Sequence, residues 1–231
     1  MSTLVFTSGT KDGKPKDFIY TNEDIANMKK AVSHVVELTG LSGILINTIP
    51  AFPHMGYSFC KMCEECYKDP ILSTGGYKML DIDKHLGFIK KLKPAGIIGI
   101  EGVVKELILL SDSESLENLK SVIIINGLSE EVLAWFKEHN IEVKATYGLT
   151  EAKMAWATGD NLEEGYHVFK DSGVRFESIN GELILFSKDY PDGLYTGDMG
   201  TVIDEEDRQR ISFVITRKDG KSKNLIGCST I

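Results

Sequence analysis

Three stretches of the chain carry residues that could do chemistry. Residues 7–16, TSGTKDGKPK, gather three hydroxyls (Thr7, Ser8, Thr10), two glycines (Gly9, Gly13) and three lysines, among them Lys14 and Lys16, within one loop. Hydroxyl donors, backbone N–H groups freed to turn by glycine, and ammonium charge are what a phosphate needs in order to be held without a large electrostatic cost. The spacing departs from the G-x-x-x-x-G-K-[ST] phosphate loop, since three residues separate Gly9 from Gly13 and Pro15 follows Lys14. Pro15 also disfavours a helix starting at Lys14, so an anion would sit in a nest of backbone groups rather than on a helix dipole. A solvated turn between a strand and a helix satisfies the same composition.

The second stretch, CKMCEEC, spaces Cys60, Cys63 and Cys66 three residues apart. On a helix they drift slowly around one face and can either meet a metal or line the core as small apolar residues. Cys-x-x-Cys suits zinc, with His54 or Cys228 as a further ligand, and an iron–sulfur cluster fits the spacing too. The third group is a pair of acids, Glu151 in YGLTE and Asp198 in the glycine-flanked turn YTGDMG. Glu151 can oppose a helix dipole or hold a hard cation. Asp198 can close a turn on itself, or offer its two oxygens to a vicinal diol.

The elements that must position these groups follow from periodicity. Leu4–Thr7 reads as a strand. Thr21 with Asp24 three residues on, apolar residues at helical spacing and Gly40 as a stop predict a helix over 22–39. GILINTIP is a buried strand, followed by helices near 55–68 and 82–92, the latter ended by Pro94. A strand at AGIIGI, a helix at VVKELILL, a strand at SVIIIN, a helix from Glu130 to His139 capped by Ser129 and a strand at IEVKAT complete this part. Strands alternating with helices predict an α/β fold, a mostly parallel sheet flanked by helices on both faces. Beyond Gly159 the helical period disappears into short strands, with Asn180-Gly181 marking a hairpin. The expected division is an α/β subdomain over 1–158 and a smaller antiparallel β subdomain over 159–231.

The chemistry-bearing stretches also carry a resemblance. TSGTKDGKPK resembles the TSGTTGxPK phosphate signature of the adenylate-forming superfamily (acyl-CoA synthetases, peptide-synthetase adenylation domains and luciferases), with one residue more between Thr10 and Gly13. IPAFPHMG, YGLTE, YTGDMG and TRKDGKSK resemble four further signatures of that superfamily in the same order, the last being its GRxDDxxK hinge with Thr216 and Gly220 altered. GYHVFKD (Gly165 to Asp171) is most similar to the phenylacetate-CoA ligase branch.

What the resemblance implies is ATP-dependent activation of a carboxylic acid to an acyl-adenylate, with pyrophosphate expelled and the acyl group passed on to a thiol or amine acceptor. Thr7, Ser8, Gly9, Thr10, Gly13 and Lys16 would hold the pyrophosphate end of ATP, with Lys14 adding charge. Tyr147 would stack on adenine, Thr150 donate to the α-phosphate, Glu151 hold Mg²⁺, and Asp198 accept from the ribose hydroxyls beside Arg217. Thr150, Glu151 and Lys16 form the expected catalytic set. His54, Gly99, Glu101, Gly127 and Gly148 would line the acyl pocket, where Glu101 either reads a polar or amino-bearing substrate or is exposed. ATP and Mg²⁺ are the implied cofactors, coenzyme A an optional further one, and zinc an option for the cysteines alone.

Against the family pattern, little sequence precedes the phosphate loop, and no lysine-bearing domain follows the hinge-like Lys223. Two expectations result. Either the chain adenylates a small carboxylic acid, alone or with a partner protein that supplies the domain or accepts the acyl group, or it is a catalytically idle nucleotide- or acyl-binding module in a complex. A homodimer would cover apolar surface left by missing flanks.

Composition bounds the remainder. The 231 residues are 42% hydrophobic with net charge −8, enough to build a core and too acidic and mixed for a basic footprint. Neither nucleic acid nor membrane is expected as a partner. Four cysteines without a secretory signal imply reduced thiols and a cytoplasmic location.

Overall fold

The computed structural model describes residues 3–6, 17–49, 61, 63–74, 82–125, 128–149, 154–161, 165–169, 172–206, 208–212 and 216–217. β1 (Thr3–Phe6) and β2 (Asp17–Tyr20) form an antiparallel pair in which Phe6 faces Asp17. Residues 7–16 therefore join two strands, not a strand and a helix. The following helix α1 (Asn22–Thr39) begins on a reciprocal cap. Thr21 Oγ1 accepts from the Asp24 N–H at 3.2 Å while Asp24 Oδ2 accepts from the Thr21 N–H at 2.7 Å. It ends where Gly40 turns left-handed at φ 56°. Met28, Val32 and Val35 are its buried stripe.

Among the described residues the main sheet has nine strands, in the spatial order Val202–Asp204, Gln209–Ile211, Gly165–Val168, Met154–Asn161, Glu142–Leu149, Ser121–Ile125, Gly96–Gly99, Leu45–Asn47 and Ile71–Ser73. Its core is parallel: β4 (Ile71–Ser73), β3 (Leu45–Asn47), β5 (Gly96–Gly99), β6 (Ser121–Ile125) and β7 (Glu142–Leu149). β3, β5 and the first four residues of β6 are buried throughout, as strands covered on both faces must be. The crossovers use α2 (Ile82–Leu92), α3 (Glu101–Leu110) and α4 (Glu130–Glu138). α4 starts at the expected cap, with Ser129 Oγ accepting from the Val132 N–H at 3.3 Å. After α2 the chain turns at Lys93 (φ 44°), because Pro94 excludes a further helical residue before it.

Topology selects one end of this sheet. The chain steps from β3 outward to β4, then crosses back over β3 to β5 and continues the other way. At such a reversal the connections leave in opposite directions and open a crevice at the carboxyl ends of the two strands. Here those ends are Asn47-Thr48 and Gly99. Thr48 closes the gap by donating from both its N–H (2.8 Å) and its Oγ1 (2.9 Å) to the Ile98 carbonyl.

The strands beyond β7 are antiparallel. β8 (Met154–Asn161), β9 (Gly165–Val168), β14 (Gln209–Ile211) and β13 (Val202–Asp204) extend the same sheet. A second sheet holds β10 (Arg175–Ile179), β11 (Glu182–Ser187), β12 (Tyr190–Met199) and β15 (Thr216–Arg217). Asn180 (φ 53°) and Gly181 (φ 81°) make the two-residue turn between β10 and β11, the conformation that Asn-Gly tolerates and most pairs do not. The β-rich tail thus divides between the two sheets, and residue 158 falls inside β8.

Three strands lack a signal in the periodicity. β2 and β4 are too short to alternate visibly, and β8 carries Gly159, whose missing side chain lets the Gly165 carbonyl approach. Of the helix expected near 55–68, residues 61 and 63–66 are helical, 67 and 68 are not, and 55–60 and 62 lie outside the described residues.

A methyl at Gly99 would strike Thr48 Oγ1 and the Val104 side chain. Gly99→Ala is expected to cost about 1–3 kcal/mol through overpacking, read as a lower urea midpoint at unchanged slope. An unmoved midpoint would show that β3 and β5 part freely.

Candidate functional site

β7 runs past the parallel core and brings Tyr147 to the junction of the two sheets. The ring is 1% exposed and packs between Tyr166 and Phe176, each with its centroid 6.0 Å away. Its hydroxyl donates to Asp198 Oδ2 at 3.0 Å, across 51 residues of sequence. Tyr147 belongs to the large sheet and Asp198 to the small one, so this bond crosses between them.

The small sheet aims Asp198 by a bulge. Glu182 faces Met199 and Ile184 faces Tyr195, so β12 carries two extra residues over the stretch containing Thr196, Gly197 and Asp198. Gly197 takes φ 73°, which a side chain would resist. The displaced backbone is bonded locally: the Gly197 N–H donates to Glu182 Oε1 at 3.1 Å and the Asp198 N–H to Thr196 Oγ1 at 3.0 Å. Thr196 Oγ1 donates onward to the Leu183 carbonyl at 2.8 Å. Asp198 is fully buried, and Arg217 of β15 is its backbone partner across the strand pair.

At the carboxyl ends of β5 and β6 a second tie is present. Glu101, in the first turn of α3, accepts from the Ser129 N–H at 2.5 Å and from Ser129 Oγ at 2.8 Å. Glu101 thereby holds the residue that caps α4 and joins the two loops leaving adjacent strands. Tyr166 lies between the two ties. Burial pushes its phenol well above the ordinary tyrosine range; the Leu128 backbone draws it down, and the negative charge of Glu101 adds to the rise.

The structure therefore brings together Tyr147 and Asp198, sets Arg217 opposite Asp198, and places Gly148 on β7 where the pairing with β8 shifts register. Gly99 and Glu101 lie two strands away, on β5 and α3. Thr7, Ser8, Gly9, Thr10, Gly13, Lys14, Lys16, His54, Gly127, Thr150 and Glu151 lie outside the described residues, as does Cys60. Glu182, Thr196 and Phe176 were missed as parts of the site. Only Thr196 stands in a motif with a chemical signal; the others act through contacts that no local pattern encodes.

The cysteines resolve toward packing. Cys63 is fully buried in the core, and the Cys66 thiol contacts the Lys29 carbonyl at 3.8 Å. Among the described residues no three metal-binding side chains converge, so the zinc and iron–sulfur expectations find no support. No described helix is long and apolar enough to cross a membrane.

The mixed sheet with helices on its parallel half and a small antiparallel sheet at its end is the fold of AMP-forming acyl-CoA ligases. Among solved structures, 2-hydroxyisobutyryl-CoA ligase in complex with 2-HIB-AMP and CoA in the thioesterification state matches with TM-score 0.74 at 15% identity, over 93% of this chain and 52% of that one. The o-succinylbenzoate coenzyme A synthetase of Bacillus subtilis matches in complex with AMP (TM-score 0.64, 20% identity, 90% of this chain and 60% of that one). Its complex with ATP and magnesium ion matches with TM-score 0.66 and 19% identity, over 94% and 50%. The chain thus spans between about half and three fifths of these ligases. No protein-family model and no curated protein matches the sequence.

Tyr147→Phe keeps the ring and deletes the donor to a buried carboxylate. The expected loss of stability is about 1.5–3 kcal/mol, as for hydrogen bonds to charged groups, measured by urea unfolding; a change below about 0.5 kcal/mol would place the bond outside the fold's essential contacts. The raised Tyr166 phenol predicts a pH effect. Its contribution is complete below the unfolded value of about 10 and is lost as pH rises through the folded value. Tyr166→Phe should therefore flatten the fall in stability above about pH 10. Tyr67, raised by burial and by Asp69, keeps part of that slope in place.

Proposed function

We propose that the chain activates a small carboxylic acid with ATP. A carboxylate oxygen attacks the α-phosphorus, the bond to the bridging oxygen breaks, and acyl-adenylate and pyrophosphate result. Two anions must meet, so the work is positioning and neutralisation rather than covalent help from the protein. The observation that carries this reading is the Tyr147–Asp198 contact at the junction of the two sheets. Tyr147 of YGLTE and Asp198 of YTGD, both read from the sequence as nucleotide contacts, lie side by side there, with the backbone of Arg217 alongside. The fold shared with solved AMP- and ATP-bound ligases supports it.

In this reading Asp198 takes the ribose and Tyr147 the adenine end. Loop 7–16, with Lys14 and Lys16, holds the pyrophosphate, and Thr150 donates to the α-phosphate. Glu151, a hard oxygen ligand, would hold Mg²⁺, which supplies charge neutralisation on the phosphates. The acyl pocket would draw on His54, Gly99, Gly127 and Gly148, with Glu101 fixing its wall through Ser129. Coenzyme A or a partner protein would accept the acyl group. Placement in the phenylacetate-CoA ligase branch, a functional division near residue 158, a homodimer and a cytoplasmic site of action belong to the same proposal.

The full burial of Asp198 favours a second reading. With its carboxylate held by Tyr147, the pair can serve as a clasp between the sheets, and the chain as a binding module without turnover. Pyrophosphate exchange across a panel of carboxylic acids, with ATP and AMP binding by calorimetry, separates the two. Adenylation predicts acid-dependent exchange that falls on the order of 10²-fold in Asp198→Ala and Glu151→Ala, at folded fractions checked by thermal melting. Binding without exchange for any acid establishes the module; binding of neither nucleotide rejects both.

A further inference from the structure

Among the described residues β10 is an edge strand of the small sheet, paired with β11 on one side. An edge strand presents N–H and C=O groups that the ladder leaves over. At Phe176 both are taken by one side chain of the other sheet. The Phe176 N–H donates to Gln209 Oε1 at 2.7 Å, and Gln209 Nε2 donates to the Phe176 carbonyl at 3.0 Å. The primary amide supplies an acceptor and a donor side by side, as a neighbouring strand would. Gln209 Nε2 donates also to Asp204 Oδ1 at 2.7 Å, which fixes the orientation of the amide.

The hairpin that presents Gln209 is itself braced. The Glu205 N–H donates to the Arg208 carbonyl at 2.8 Å, and the Glu205 carboxylate meets Arg208 Nε at 3.0 Å and Arg210 Nε at 3.1 Å. On the inner side, the buried Phe176 ring packs against Tyr147, whose hydroxyl holds Asp198. Two ties between the sheets, amide to backbone and phenol to carboxylate, are therefore joined by the packing of Phe176 on Tyr147.

We infer that Gln209 is a positioning residue that sets the spacing of the two sheets at the nucleotide end of the site, acting through Phe176 on Tyr147 and Asp198. This rests on the adenylation reading above. A glutamine that only stabilised the fold would make the same contacts, so the test must separate the two roles.

Gln209→Glu preserves shape, removes both donors and turns a carboxylate toward the Phe176 carbonyl and Asp204. The expected result is a rise of about tenfold in the AMP dissociation constant and the ATP KM, with the KM for the carboxylic acid unchanged. A fall in kcat alone, in proportion to the folded fraction, or no change, overturns the role. A double-mutant cycle on unfolding stability with Tyr147→Phe tests the linkage without nucleotide: non-additive losses are expected, and additive ones overturn it. A native chain that binds no AMP overturns the role together with the adenylation reading, and a non-additive cycle in that case shows that the function failed and the linkage did not.

Discussion

A carboxylate removed from water must be given donors or it will protonate or unfold its surroundings. Asp198 is such a group, fully buried where two sheets meet, and much of the local structure answers to it. β12 bulges to bring it inward, Gly197 takes a conformation that side chains avoid, and Thr196 and Glu182 absorb the backbone groups the bulge displaces. Tyr147 reaches across from the other sheet to donate. These adjustments together hold Asp198 in one orientation, facing Tyr147.

The parallel half of the molecule supplies a different constraint. Its strands are buried on both faces, so polar chemistry can emerge only at their ends. Thr48 seals the reversal between β3 and β5, and Glu101 ties the loops after β5 and β6 through Ser129. Glu101 is thus engaged with protein partners and holds the loops after β5 and β6 together. The crevice mouth and the Asp198 bulge are linked through Tyr166, which packs on Tyr147 and feels the charge of Glu101.

Much of the fold was legible because its signals are short-range. The Thr21–Asp24 cap, the Ser129 cap, the stop at Pro94 and the Asn180-Gly181 turn each depend on residues within a few positions of one another, and each occurs as read. The three unread strands show the limit. β2 and β4 exist because neighbours were available to pair with them, and β8 because Gly159 admits close backbone contact. The cysteines are a similar case: spacing of three leaves metal and core equally open, and burial of Cys63 favours the core.

Local signals were enough to set the alternation of helix and strand, the caps at Thr21 and Ser129 and the chemical character of YGLTE and YTGD, since propensity, capping and side-chain chemistry depend on near neighbours. Only the tertiary structure decided that Tyr147 meets Asp198 across 51 residues, that Glu101 is held by Ser129, and that one glutamine completes the edge of a second sheet. Those pairings depend on which strands become neighbours when the whole core closes, and no window of sequence contains that information.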